Sequence, residues 1–238
     1  MLRKTGVGFL LSLVFVLFTY SSAVADTPVF NSKDGKWYGS INVGVTFLND
    51  LDFDLAGQTQ HGFTGTGTGS GSFDAGASFG GALGYVISDK VRTELELGYQ
   101  EMDYDKVDLS GGTITPSGAA AVTYAAGDYN VSGEIDAFTV LANVILTPLG
   151  NKTLTPLVGA GIGIVDWESK IDSIDTQTIN GKEDDTDFLA SIMAGLEYTH
   201  SQQVTWSIKY RHVWADSGKN GVDDAEADNV TANLKIAF

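Results

Sequence analysis

Alternation of apolar and polar residues along the last eleven positions limits the fold of this chain more than any other feature. One face would carry Val230, Ala232, Leu234, Ile236 and Phe238, and the other face Asn229, Thr231, Asn233, Lys235 and Ala237. A repeat of two is typical of a β-strand, because successive side chains of a strand point to opposite faces. The sequence therefore predicts a strand over 228–238 that is apolar on one face and polar on the other.

Seven earlier segments alternate in the same way and predict seven more strands. They cover residues 37–48, 73–87, 91–99 and slightly beyond, 134–146, 154–166, 186–200 and 204–214. Only in 134–146 is the facing ambiguous, because Leu141 and Ile145 are apolar on the otherwise polar face. Strands that cross lipid must close into a barrel, since an open edge would leave backbone groups unpaired. The pattern predicts an all-β fold, an eight-stranded antiparallel up-and-down transmembrane β-barrel.

The connections between these strands alternate in length. Long connections cover 49–72, 103–130, 167–185 and 215–227, and short turns fall at 88–90, 147–152 and 201–203. This alternation is typical of an outer membrane barrel, with tight turns on the periplasmic side and loops outside. We expect the long connections to be loops, and the Gly/Thr/Ser-rich first one to be mobile because it has little apolar surface to pack.

The N-terminus has the pattern of a secretory signal peptide. Arg3 and Lys4 precede an apolar segment at 7–18, and a small-x-small cleavage site ends at Ala25. We expect cleavage after Ala25, a short periplasmic segment at 26–36 and the barrel at 37–238. An uncleaved anchor is the alternative, although a spanning helix needs about 20 apolar residues.

Charge and cysteine content narrow the class of protein. Removal of the predicted leader would leave 12 basic and 30 acidic residues, a net charge of −18. This balance excludes nucleic acid as a partner, because phosphates require Lys and Arg. The chain has no cysteine, so we expect neither disulfides nor a lipoprotein anchor.

A soluble lipocalin-like barrel is the alternative architecture, in which the apolar faces would point inward to a ligand cavity. Continuous apolar faces, few charges on the opposite faces and the terminal Phe238 favour the membrane instead. Aromatic residues also lie near the predicted strand ends, as interfacial girdles require. These residues are Trp37, Tyr85, Tyr99, Tyr198, Trp206, Tyr210, Trp214 and Phe238.

The layout over 37–238 resembles the OmpA-like transmembrane barrels, and more closely the surface-antigen, porin-like outer membrane β-barrel family. The resemblance is carried by the segments at 80–85, 92–99, 143–144, 155–163 and 209–211 and by Phe238. It implies a bacterial outer membrane location, with outer membrane lipids and lipopolysaccharide as surroundings. It also implies that the assembly machinery recognises Phe238 as an assembly signal. We expect no periplasmic peptidoglycan-binding domain after Phe238.

Charged residues on the polar faces would point into the barrel. They are Arg92, Glu94, Glu96, Glu197, Lys209, Arg211 and Lys235. An eight-stranded barrel is just wide enough for its side chains to fill, and buried charges must be paired to be tolerated. We interpret the set as a salt-bridged lumen charge network that plugs the barrel. A narrow or gated ion path is the alternative.

Three glycines of the fifth strand, Gly159, Gly161 and Gly163, share one face. Glycine in a strand marks a close backbone approach or a bend. We hypothesise that these glycines make room for long charged neighbours in the lumen.

Catalytic and metal-binding patterns are weak. A Ser/His/acid set could be drawn from His212, Ser217 and Asp216, but the spacing does not bring a nucleophile and a base within hydrogen-bond reach. Acidic clusters at 183–187 and 223–228 contain calcium-type oxygen ligands without the spacing of a twelve-residue calcium loop. We therefore expect no catalytic site, no metal site and no cofactor.

The predicted role is structural, or surface display of the long connections to an extracellular or host partner in adhesion. The alternative is a narrow pore for small solutes or ions, and a lipid-modifying outer membrane enzyme is the least favoured reading.

Overall fold

The computed structural model describes residues 37–54, 59–60, 63–116, 120–150, 153–216 and 224–238. These residues form twelve strands, each antiparallel to its neighbours. Their bounds are β1 Trp37–Leu48, β2 Leu51–Asp54, β3 Thr59–Gln60, β4 Phe63–Thr66, β5 Thr68–Phe73, β6 Gly76–Ser88, β7 Val91–Pro116, β8 Val122–Leu146, β9 Leu154–Ile174, β10 Gln177–Thr199, β11 Val204–Asp216 and β12 Ala225–Ala237.

Eight of the strands close into a ring. β1 pairs with β6, each strand from β6 to β11 pairs with the next, and β12 pairs back onto β1 from Tyr38↔Ala237 to Leu48↔Ala227. This closure confirms the predicted eight-stranded up-and-down barrel. The predicted bounds 37–48 of the first strand agree with those of β1.

Large apolar side chains project outward around the ring. They include Ile41, Leu83, Leu95, Val158, Ile162, Ile192, Ile208 and Ile236, each roughly half exposed or more. Aromatic residues border this belt at both ends: Trp37 packs on Tyr85 at the short-turn end, with ring centroids 5.0 Å apart, and Phe79 packs on Tyr99 at the other end, at 5.1 Å. A soluble barrel would place its apolar face inside, so this arrangement contradicts the lipocalin-like alternative. None of the described segments contains a helix long and apolar enough to cross a membrane.

The prediction that 103–130 and 167–185 are loops is wrong. β7 and β8 stay paired past the apolar belt to Ile114↔Val122, and β9 and β10 to Ile174↔Gln177. The first long connection, 49–72, also contains the short strands β2 to β5, of which β4 and β5 pair with β7. A sheet therefore continues beyond the barrel on the side of β7–β10, and we call it the strand extension (residues 104–116, 122–131, 167–174 and 177–185).

The strand extension has an apolar core of its own. It consists of Val107, Leu109, Ile114, Tyr124, Val131, Ile171, Ile174 and Ile179, with Phe53 of β2 packed against it. Because four long strands each contribute only a few of these residues, the core is created by tertiary packing. This packing stabilises strands where the local composition predicted loops.

The ambiguous facing of β8 is resolved by burial. Leu141 and Ile145 are 1% and 0% exposed and point into the barrel, whereas Phe138, Val144 and Leu146 point outward. Leu141 packs with Val165 of β9 and Leu189 of β10. The barrel interior thus has an apolar wall on the β8–β10 side.

Candidate functional site

The interior of the barrel contains all seven residues of the lumen charge network, which begins near the short-turn end with Arg92, Glu197 and Lys235. Strand β7 supplies three of them, β11 supplies two, and β10 and β12 supply one each. Six are buried at 4–8% exposure, and the Arg211 side chain is 14% exposed. The alternation of the strands explains this placement, because every second residue of each strand points inward.

The lower part of the network is centred on Glu197 and Glu94. Arg92 donates Nη1 and Nη2 to the two carboxylate oxygens of Glu197, at 2.9 and 2.5 Å. Lys235 Nζ donates to Glu197 Oε1 at 3.4 Å. Glu94 lies 3.7 Å from Arg92 Nε and 3.5 Å from Lys209 Nζ. These contacts connect β7, β10, β11 and β12 across the lumen.

The upper part of the network is centred on Glu96. Arg211 donates Nη1 and Nη2 to the carboxylate of Glu96 at 3.0 and 2.5 Å, again as a two-pronged contact. Asn143 Nδ2 donates to Glu96 Oε2 at 2.9 Å. Two-pronged Arg–carboxylate pairs fix geometry as well as charge, so the network holds defined side-chain positions.

Tyr38 and Asn143 also belong to this site, although neither was predicted to line it. The Tyr38 hydroxyl donates to Glu94 Oε1 at 2.8 Å, and Lys235 Nζ lies 5.2 Å from the centroid of its ring. Tyr38 is fully buried. Its position among the polar-facing residues of the first strand was the available signal, since a Tyr there has no lipid to contact.

Glycine provides the room for Tyr38. Gly84 pairs with Tyr38 in the β1–β6 ladder, and a Cβ atom on Gly84 would lie 2.0 Å from Tyr38 Cζ. The hypothesis that Gly159, Gly161 and Gly163 make room for long charged side chains is wrong. A Cβ atom would meet the backbone of β8 at Gly159 and Gly163, and the uncharged Asn143 side chain at Gly161.

The network separates two cavities. Below it, a cavity of about 30 Å³ is lined by Arg92, Glu197 and Lys235 with residues of the short turns. Above it, a cavity of about 180 Å³ has Arg211 in its lining. Ion pairs in such an interior are tolerated only with good geometry and added hydrogen bonds. The Arg92–Glu197 and Arg211–Glu96 pairs have both, whereas Glu94 Oε2 lies near Lys209 Nζ, at 3.5 Å, without a hydrogen bond. The arrangement can therefore hold charges in a fixed barrier across the lumen.

The residues of the Ser/His/acid set and of the acidic clusters do not assemble into a catalytic or metal site in the described part of the chain. His212 Nδ1 lies 2.7 Å from Asp228 Oδ1, and Tyr210 donates to the same oxygen at 2.7 Å. Ser217 and Asp223 lie outside the described residues. Within those residues, no group of three or more His, Asp and Glu side chains has metal-site geometry.

Phe238 follows the last strand. Its backbone N–H donates to the Trp37 carbonyl at 3.1 Å, and its side chain is 70% exposed. This ties the C-terminus to the start of β1 and leaves the ring outside the barrel wall.

Comparison with known proteins identifies the family. A model of the outer membrane protein beta-barrel domain matches residues 10–238. Uncharacterized proteins of Brucella suis biovar 1 (strain 1330) and Brucella abortus (strain 2308) are 29% and 27% identical over 161 and 160 residues. Each alignment covers 62% of this chain and 54% of the relative, so the chain spans about half the length of these relatives.

Among solved structures, Neisserial surface protein A is 14% identical, with a TM-score of 0.47 and coverage of 85% of this chain and 97% of that chain. Ail, the attachment invasion locus protein of Yersinia pestis, is 10% identical, with a TM-score of 0.42 and coverage of 85% and 99%. The family match extends over nearly the whole chain and agrees with the closed ring and its apolar belt. The protein therefore belongs to the outer membrane protein beta-barrel domain family, and its location is the bacterial outer membrane.

Proposed function

We propose that this protein is a plugged, non-enzymatic barrel that anchors the strand extension for display at the cell surface. The observation that supports this proposal is the lumen charge network. Side chains from β1, β7, β8, β10, β11 and β12 meet inside an eight-stranded ring, whose interior is just wide enough for its own side chains. A barrel filled in this way suits an anchor better than a solute path.

Conductance tests the plug. We expect the refolded protein in a planar bilayer to show no stable conductance, while a variant with Arg92→Ala, Glu94→Ala, Glu197→Ala and Arg211→Ala opens measurable channels. This variant is the positive control, because it shows whether the assay can detect a barrel whose lumen is open. Stable, sizeable conductance from the unmodified barrel would overturn the proposal and favour the narrow pore.

Display is tested separately. Replacing 107–129 with a two-residue turn removes the tip of the β7–β8 hairpin and keeps the paired strands below it. We expect cells carrying this variant to adhere less to host-cell monolayers than cells with the full chain, at equal amounts of surface protein. Equal adhesion would count against display by this hairpin.

The proposal includes export and assembly. A signal peptide removed after Ala25 would give a mature protein that begins at Asp26, which an intact-mass measurement of the outer membrane form tests directly. Outer membrane lipids, lipopolysaccharide and the assembly machinery are the proposed partners in the envelope, and an extracellular or host ligand is the proposed partner of the strand extension.

A further inference from the structure

The half of the barrel above the lumen charge network contains an apolar cavity of about 180 Å³. Its wall includes Met102, Ile135, Leu141, Val165, Leu189 and Val213. Met102, Ile135, Leu141, Val165 and Leu189 are buried at 1–8% exposure, as expected of a packed interior. Packed protein interiors contain few voids larger than a water molecule. A space of this size therefore needs an explanation.

Several polar side chains at the cavity wall form hydrogen bonds with other protein groups and do not point their polar atoms into the cavity. Trp167 Nε1 donates to Asp187 Oδ2 at 2.6 Å, and the hydroxyls of Tyr104 and Ser169 lie 2.8 Å apart. Arg211 is held by Glu96 at the floor. Because these polar atoms have partners already, most of the surface offered to a ligand is apolar. The carboxylates of Glu183 and Asp187 in the wall also disfavour an anion.

Three described residues at the long-connection ends of β1, β11 and β12 line the rim of the cavity. Leu48 ends the β1–β12 ladder, and Ala215 and Ala225 form the last pair of the β11–β12 ladder. On the opposite side β7–β10 continue into the strand extension. Two of these three rim residues are alanines, and their short side chains leave more space at the rim than larger residues would.

We propose that this cavity binds small, uncharged hydrophobic molecules of the size of a monocyclic aromatic compound, entering from the extracellular side. An apolar cavity of about 150 Å³ in another protein stays dry and binds benzene, so the volume matches this class of ligand. An anionic ligand would lose its hydration and face the carboxylates of Glu183 and Asp187. The inference does not depend on the display role.

Fluorobenzene and ¹⁹F NMR provide the test, with refolded protein in lipid nanodiscs. Ala137→Trp fills the cavity, because Ala137 lines it and is 7% exposed. Ala142→Trp is the matched control, since Ala142 lies on the same strand and points outward. Ala227→Trp fills the cavity from β12 and replaces Ala137→Trp if that variant fails the heat-modifiable gel shift of a folded barrel.

We expect line broadening of fluorobenzene above that of empty nanodiscs for the unmodified protein and for Ala142→Trp. A filled cavity should weaken binding at least about tenfold, a change readily resolved in such a titration. 4-Fluorobenzoate should show no excess over empty nanodiscs. Equal broadening with the cavity-filling variants would assign the probe to the lipid and overturn the site, as would no excess for the unmodified protein. Equal binding of fluorobenzoate would overturn the specificity for uncharged ligands.

Discussion

Arg92 and Glu197 face each other across the lumen and share two hydrogen bonds, at 2.9 and 2.5 Å. They lie on β7 and β10, which are not neighbours in the ring. The pair therefore connects opposite parts of the wall, which the backbone ladders cannot do. Both residues are buried, at 6% exposure.

Removing one member of this pair should cost more stability than removing both. Arg92→Met or Glu197→Leu alone leaves a buried charge without its main partner, a loss of roughly 3–5 kcal/mol. The double variant should recover a large part of that loss, because an apolar pair leaves no such charge. Guanidinium unfolding in lipid vesicles measures the four corners of the double-mutant cycle. Additive losses would contradict coupling between the two side chains.

Gly84 is expected to be intolerant of a side chain. Its Cβ would overlap the buried ring of Tyr38, and overpacking of this kind costs about 1–3 kcal/mol. Gly84→Ala should therefore destabilise the refolded barrel, and Tyr38→Leu in the same chain should relieve part of the loss. Gly39→Ala on the adjacent strand is the control, since its Cβ would meet only Phe238 Cε1, at 3.9 Å. Equal stability of the two Gly→Ala variants would contradict the steric argument.

The barrel could be predicted because a strand that crosses lipid must be apolar on its outer face, and this requirement is visible within a single short segment. Apolar residues such as Ile41 and Leu95 face outward and the residues between them face inward, so a repeat of two along the sequence predicts the facing of each side chain. The roles of Tyr38 and Asn143 could not be predicted, because the repeat indicates which way a side chain points and not which residue it contacts across the lumen. The strand extension could not be predicted either, because its strands lie beyond the apolar belt and are stabilised by a core whose residues, such as Leu109 and Ile171, are far apart in the chain.

Hydrogen exchange tests whether that extension is ordered by its core. Ile171→Asn replaces an apolar side chain of 9% exposure with an amide and should cost at least the roughly 2–5 kcal/mol that the loss of a large core side chain costs. Exchange should rise in 107–116 and 122–131, while 138–146 in the barrel stays protected. Asp172→Asn is the matched control, because the neighbouring Asp172 is exposed. Exchange at loop rates in the unmodified protein would restore the original loop prediction.

Glu168 in the strand extension should titrate at low pH. Its carboxylate lies 2.8 Å from Lys170 Nζ and 2.7 Å from Lys182 Nζ, and these hydrogen bonds lower the pKa of Glu168. Because the pKa of Glu168 is lower in the folded than in the unfolded chain, its ionised carboxylate stabilises the fold at pH values above the unfolded pKa of about 4.3. This stabilisation is lost as the pH falls through the folded pKa.

A ¹³C NMR titration should therefore place the Glu168 midpoint below about 4.3. Lys170→Met should raise the midpoint, whereas Lys106→Met, elsewhere in the strand extension, should leave it unchanged. A midpoint at or above the unfolded value in the unmodified chain would show that these contacts do not persist in solution.

Substitution of Phe238 should affect assembly into the outer membrane more than it affects the stability of the folded barrel. Because its ring is 70% exposed, Phe238→Ala should change the stability of the refolded barrel by about 1 kcal/mol or less. Recognition by the assembly machinery, which the family resemblance implies for Phe238, would be lost with the ring, so the amount of folded protein in the outer membrane of cells should fall sharply. Ile236→Ala is the control, since Ile236 is also outward-facing and 50% exposed on the same terminal strand. Equal outer membrane levels of the two variants would show that the terminal aromatic residue carries no assembly signal in this protein.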